Sequence, residues 1–229
     1  MASSAAALAR LAGGQGDASK GLNGTVRITA SEVVGVEVLP AIVKVLREQQ
    51  PGITIELQLS NRVQDLLQRE ADIAVRMVRP TQNQLVARQI GQIELGLYAH
   101  ADYLARHGTP ASLQDMVGHA LIGFDELTPY LRATAQRLGI ARDMFTMRSD
   151  SDLAQLALIR AAAGIGFCQI ALAQRSEPPL QRLLASEFSM QLDTWITMHE
   201  DLRHSAACRV VFDALGEGLQ RHVTATAQA

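Results

Sequence analysis

Six residues near the end of the chain, His199-Glu200-Asp201-Leu202-Arg203-His204, carry the groups of a zinc-hydrolase motif. That chemistry needs two imidazoles four residues apart on one helix face, with a glutamate beside them as base. Here the second histidine falls five residues on, so the rings would diverge on a helix. A shared zinc is not expected, and a polar strand-to-helix turn is the reading for this segment. Gly164-x-Gly166 is not followed by glycine at 169, so the dinucleotide-binding fingerprint fails. Neither a G-x-S-x-G elbow nor a P-loop lysine pattern occurs. The remaining histidines are scattered without an acid–base partner. Cys168 and Cys208 are far apart and sit among apolar neighbours, which argues against a disulfide framework or a cysteine zinc site. They read as buried small hydrophobes in a reducing compartment. The expectation is a non-catalytic chain with no metal and no cofactor.

What remains for chemistry is a set of polar residues at the junctions between elements. Thr25 to Ala30 alternates polar and apolar, which suits a strand. Ser31 then stands where it can cap a helix carrying Val34, Val38, Leu39, Ile42, Val45 and Leu46, stopped by Pro51-Gly52. Ile53 to Leu59 alternates again. Asn61 can cap a short helix with Val63, Leu66 and Leu67, and Asp72 to Met77 reads as a third strand. This β-α-β-α-β order is the mark of a parallel sheet covered by helices.

Two strands follow, near Leu85 to Ile90 and Glu94 to Ala99. The pattern then restarts with a short helix from Ser112 to about Val117 and a strand from Ala120 to Phe124. Next come a helix from Thr128-Pro129 to Gly139, a strand from Met144 to Arg148, and a helix from about Asp152 to Ala163 closed by Gly164. Ile165 to Cys168 and Leu192 to Met198 read as strands, and Ser205 to Leu219 as an amphipathic helix with Val210, Val211, Leu215 and Leu219 facing a core. Two α/β units in series suggest two lobes.

Composition bounds the partners. The chain has 229 residues, 48% of them hydrophobic and 19% charged, the balance of an ordinary globular protein. Net charge is −2 and there is no run of Lys and Arg, so this stretch is not expected to grip nucleic acid itself. Met1 to Ala12 lacks a basic start and is interrupted by Arg10, so it does not read as a secretory signal. No apolar run is long enough for a membrane span, and a cytoplasmic location with no membrane partner is expected. Five glycines between Gly13 and Gly24 make that segment a flexible tether, and the alanine-rich stretch before it reads as the end of a helix.

At this point the residues resemble a family. Gly24-Thr25-Val26-Arg27-Ile28-Thr29 is similar to the opening strand of the effector-binding domain of LysR-type transcriptional regulators. Leu39-Pro40 and Gln50-Pro51-Gly52-Ile53 resemble its first helix and second strand. Glu70-Ala71-Asp72-Ile73-Ala74-Val75-Arg76 resembles its third strand. Leu85-Val86-Ala87-Arg88, Ala162 to Phe167 and Trp195 to Ser205 fit in order and spacing, so the resemblance covers about Gly24 to Leu219. It implies an α/β fold of two Rossmann-like lobes, the type-2 periplasmic-binding-protein fold, with a small-molecule effector between them. Lobe I would take about 24–98 plus 195–229, and lobe II about 99–194. Residues 1–23 would be a linker-helix remnant and tether, the family's winged helix-turn-helix being absent.

Ligands of such sheets sit beyond the carboxyl ends of the strands. Ser31 lies there after the first strand. Capping is its ordinary role, and bonding an effector oxygen is the second; the two can coexist. Ser60 and Asn61 hold the equivalent place after the second strand, and the resemblance implies that both junctions touch the effector. Glu32, in the first turn, already answers the helix dipole and would repel an anion if it faced the cleft. Met77, Val78 and Arg79 follow the third strand. Arg76 or Arg79 could hold a carboxylate through two parallel hydrogen bonds, although a solvated arginine is the default for each. Phe124 could pack on an effector ring or fill core. Ser149 and Asp150, with Ser151, open a helix where they could bond a ligand or cap. Gly164 and Gly166 serve the turn before Gln169-Ile170, where the family has Leu-Pro.

The resemblance further implies a ligand-operated switch. Its effector would be a small polar or carboxylated metabolite, since only 4% of residues are aromatic and a large stacking cage is not expected. It implies a homodimer, a tetramer in the full-length protein, and promoter DNA bound through the N-terminal domain. The helices around Val38 to Leu46 and Leu156 to Ala163 would pair across the dimer. Two rivals share the fold: a solute-binding protein for transport, and a small-metabolite enzyme.

Overall fold

The computed structural model describes residues 22–61, 71–80, 84–126, 132, 135, 136 and 139–227. The expected helix carrying Val63, Leu66 and Leu67, most of the expected helix from Thr128 and the segment before Leu22 lie outside the described residues. The described residues fall into two units, those within Met1–Gln92 and Leu192–Ala225, and those within Ile93–Gln191 and Thr226–Ala229.

The first unit is built on β1 (Gly24–Ala30), β2 (Ile53–Leu59) and β3 (Ile73–Arg76). β1 pairs in parallel with β2 on one side and β3 on the other. The antiparallel strand β9 (Met190–His199) lies against β3, and β4 (Leu85–Ala99) lies beyond it. Successive side chains of a strand point to opposite faces, and this register sorts the sheet into two very different ones. Val26, Ile28, Ala30, Ile53, Ile73, Val75, Ile196 and Met198 share one face, and all are buried. Helix α2 (Leu39–Gln49) contributes buried Leu39, Ile42 and Leu46 to this core. Helix α6 (Ala206–Ala227) contributes Ala207, Cys208, Val211, Leu215 and Leu219. The two helices approach closely at Gly218, where a Cβ would stand 2.6 Å from Ile42 Cγ1. Burial pushes the Cys208 thiol pKa up, as expected of a thiol packed in a core. The opposite face carries Thr29, Arg76 and Thr197, all buried despite being polar.

The second unit pairs the later half of β4 with β7 (Gly166–Gln169) and β8 (Gln181–Leu183), both antiparallel. A short parallel pair, β5 (Ile122–Gly123) and β6 (Met147–Arg148), lies in the same unit, and Leu121 bridges to Ile165. Its core gathers Leu97, Tyr103, Leu104, Met116, Leu121, Phe145, Ile165, Leu183 and Phe188. Helices α3 (Ala101–His107), α4 (Asp152–Arg160) and α5 (Ile170–Arg175) complete it. Cys168, the second thiol, is buried in β7.

Several expected elements take a different form. The single helix expected after Ser31 is two, α1 (Glu32–Glu37) and α2, parted at Val38. Pro40 is the cause: it has no N–H, and its ring clashes with the carbonyl four residues back, so it is tolerated only in a first turn. The strands expected near Leu85 and Glu94 are one strand, β4, running through Gly91 at φ +152. The helix expected from Ser112 is a 3-10 turn over Gln114–Gly118, whose start is tied by Asp115 accepting the N–H groups of Ala111 and Ser112. Helices α3 and α5 and strand β8 were not expected.

The closure of α4 also differs. Gly164 does not take the left-handed position; Ala162 does, at φ +56. The Ala163 N–H reaches back to Leu158, and Arg106 donates to the Ala162 carbonyl at 2.9 Å. Gly164 is needed for space instead, since a Cβ there would meet the Ala120 carbonyl oxygen at 2.4 Å. A left-handed residue with a Cβ costs ~1–2 kcal/mol, and glycine gives back ~0.5–1 of this through its freer unfolded chain. Ala162→Gly is therefore expected to stabilise by about 0.5–1 kcal/mol, seen as a higher urea midpoint at unchanged slope.

Candidate functional site

In the first unit the parallel order β2-β1-β3 puts the next two strands of the chain on opposite sides of β1. The carboxyl ends of β1 and β3 thus define the place where such sheets bind ligands. Ser31 follows β1 there, half-buried. Its backbone has the extended geometry of an N-cap, but its side chain makes no capping hydrogen bond. The expected capping role is not what the structure shows. Asn61, from the end of β2, does that work instead: its Oδ1 accepts the Glu32 N–H at 3.1 Å. The Ser60 N–H donates to the Ala30 carbonyl at 2.9 Å, which joins the ends of β1 and β2. Ser31, Ser60 and Asn61 are brought together, with the Ser31 hydroxyl left outside the capping arrangement.

At the end of β3 the expectation of a solvated Arg76 is overturned. Its guanidinium is buried, donating to Thr29 Oγ1 at 2.8 Å and to the Val75 carbonyl at 3.0 Å. Register explains this: Arg76 lies opposite Trp195 on the polar face shared with Thr29 and Thr197. Arg79 is exposed, and its guanidinium carbon sits 5.9 Å from the centroid of the Trp195 ring, a cation–π contact. The Met77 sulfur accepts from the Thr194 hydroxyl at 3.3 Å. Trp195 therefore gathers the β3 end, a role that sequence reasoning did not assign to it.

The second unit presents its own cluster. The Ser149 N–H donates to the Gly123 carbonyl at 2.9 Å, extending the β5–β6 pairing. Its Oγ accepts from Ser151 N and its carbonyl from the Gln155 amide. Asp150 Oδ1 accepts the N–H groups of Asp125 and Glu126 at 3.0 and 2.8 Å, so this carboxylate braces the loop after β5. Asp125 is held in turn by Arg142 and, at 3.7 Å, by Arg148. Phe124 is half-buried on this loop. Ser151 caps α4, accepting from Ala154 N. Phe124, Ser149 and Asp150 are thus neighbours through β5 and β6. Arg142 was missed; it comes from a 3-10 turn with no periodic signal.

The His199–His204 segment is a strand end and a 3-10 turn, as read from its spacing. His199 Nδ1 accepts the Asp201 N–H at 3.3 Å. Among the described residues no group of three His, Cys, Asp or Glu side chains is arranged to hold a metal ion. No helix among them is long and apolar enough to cross a membrane.

Comparison with known proteins agrees with this fold. The family model of the LysR substrate binding domain matches residues 19–220. The transcriptional regulator CrgA of Neisseria meningitidis serogroup C is 30% identical over 103 residues, covering 45% of this chain and 34% of that protein. The match therefore spans about a third of that relative's length. The solved regulatory domain of CrgA, a LysR-type regulator, superposes with a TM-score of 0.77 at 25% identity, over 86% of this chain and 99% of that one. The full-length Vibrio cholerae activator AphB, at 21% identity and a TM-score of 0.70, shares the fold over 86% of this chain and 69% of its own. These neighbours have the type-2 periplasmic-binding-like fold.

Proposed function

Because the chain belongs to the LysR substrate binding domain family, we propose that it is the sensing part of a LysR-type transcriptional regulator, controlled by a small-molecule effector. The observation that carries this reading is the family match over residues 19–220, joined to the fold likeness with the CrgA regulatory domain. The chain comprises two lobes, about 24–98 plus 195–229 and about 99–194, and each offers candidate effector contacts. Those of the first are Ser31, Ser60, Asn61, Arg76, Met77 and Arg79, and those of the second are Phe124, Ser149 and Asp150. Ser31 supports this assignment, since its hydroxyl is not spent on capping. Arg76 is buried and held in place, so its part is to fix the floor, while exposed Arg79 reaches a carboxylate.

The protein acts as a homodimer, a tetramer at full length, bound to promoter DNA in the cytoplasm through a winged helix-turn-helix of the whole regulator. Val45, exposed on α2, and half-buried Leu153 and Leu158 on α4 support pairing of these helices. An effector that prefers one arrangement of the lobes shifts the population toward it. A regulator, rather than a transport protein or enzyme, is the reading that the named relatives favour.

Light scattering and a metabolite thermal-shift screen test this together. The expected result is a dimer whose melting temperature rises with a small set of carboxylated metabolites. Ser31→Ala should weaken the best of these about 5–10-fold, the ~1 kcal/mol of one hydrogen bond. A strict monomer at high concentration, indifferent to every metabolite, defeats the reading.

A further inference from the structure

Strand β9 turns Trp195, Thr197 and His199 to one side of the first unit's sheet, because alternate residues share a face. On β9 three polar atoms on this side are buried without a hydrogen-bond partner: Trp195 Nε1, Thr197 Oγ1 and His199 Nε2. Thr197 itself is only 2% exposed. Beside them Thr29 accepts from Arg76, and Arg27 pairs with Glu56 across β1 and β2. Orphaned polar atoms are uncommon in folded proteins, and three on consecutive outward positions of one strand form a row.

The row has one polarity. An indole nitrogen can only donate. His199 Nδ1 lies 3.3 Å from the Asp201 N–H nitrogen and 3.2 Å from the Asp201 carboxylate; where it accepts the N–H, Nε2 carries the ring proton and donates as well. The Thr197 hydroxyl, between them, can turn to donate. A water placed there would accept but would find few acceptors for its own two hydrogens. A carboxylate only accepts, through two oxygens with four lone-pair directions. Ala74, the register partner of Thr197 on β3, adds no more than a methyl group beside it.

We propose that the sheet face around Thr197 is a second ligand site, within the first unit, that takes a small organic carboxylate on the donors of Trp195, Thr197 and His199. It goes beyond the effector reading and does not depend on it: its donors lie along one strand of one unit, from Trp195 opposite Arg76 to His199 at the end of β9.

Trp195 is the chain's one tryptophan, so its indole N–H gives a single isolated proton–nitrogen resonance. Acetate is the probe, titrated at constant ionic strength against acetamide and against sodium chloride. The expected result is a saturable downfield shift of the Trp195 indole proton with acetate, at least tenfold weaker with acetamide and absent with chloride. Thr197→Val should abolish it, Thr197→Ser should restore it, and Ser31→Ala should leave it unchanged. The fold of each variant is checked from the remaining amide resonances. A shift that never saturates, or saturates equally with chloride, overturns the proposal. So does a shift that survives Thr197→Val but is lost in Ser31→Ala, since acetate then occupies the effector site and that reading stands alone. Weakened metabolite binding in Ser31→Ala with the acetate response intact is the converse result and supports two separate sites.

Discussion

Ile196→Ala is expected to lower the stability of the chain by about 2–5 kcal/mol, the cost of truncating a fully buried aliphatic side chain. Ile196 is 0% exposed and lies opposite Val75, itself 0% exposed. The parallel strand beyond adds Ala30 on the same face. A cavity opened there is walled by paired strands that cannot collapse without breaking backbone ladders, so the upper part of the range applies. Urea denaturation followed by circular dichroism measures the loss as a fall in midpoint. A change below about 1 kcal/mol would mean that this face is loosely packed, against the burial of every neighbour named above.

The next residue along the same strand should respond with the opposite sign. Thr197→Val replaces a buried hydroxyl that has no partner with a methyl group of similar shape. A buried hydroxyl without a hydrogen bond costs ~1–3 kcal/mol, and replacing it by an apolar isostere removes that penalty. Thr197→Val is expected to raise stability by about 1–3 kcal/mol in the absence of carboxylate, while removing the acetate response of Trp195. With acetate present, only the parent chain gains stability, as binding to the folded state requires. A valine variant less stable than the parent in carboxylate-free buffer would show that the hydroxyl is already satisfied.

These neighbours also show what could be read from residues alone. The alternation of Ile53, Ile55, Leu57 and Leu59, and that of Thr25 to Ala30, is local and strong, and both strands form where the pattern puts them. The break at Pro40 was present in the letters, but a run of apolar residues on both sides masked it. Gly91 reads as a stop between two strands, yet glycine at φ +152 lets one strand continue. Gly164 reads as a helix end because glycine usually is one, while the left-handed turn falls on Ala162 and is held by Arg106, 56 residues away in sequence.

The site was less legible, for the same reason at longer range. Ser31 has the ideal letter for a cap, but the capping oxygen arrives from Asn61, which only the pairing of β1 and β2 brings near. Arg76 ends a strand and reads as a surface charge; the register of β3 between β1 and β9 buries it. The row on β9 is hidden because a tryptophan counts as apolar in any alternation, although its nitrogen is the atom that matters. Pairing between distant strands decides each case, and spacing along one segment does not encode it.

The two cysteines have a practical consequence. One, Cys208, is buried in the first unit on α6, and the other, Cys168, in the second unit on β7. A thiol shielded in this way reacts with an alkylating reagent only when the structure around it opens. Each half of the chain therefore carries its own clock. The alkylation rate of Cys208 reports how often the helix-covered side of the first unit breathes, and that of Cys168 does the same for the second. A small molecule that steadies one half and not the other would slow one clock and leave the other running.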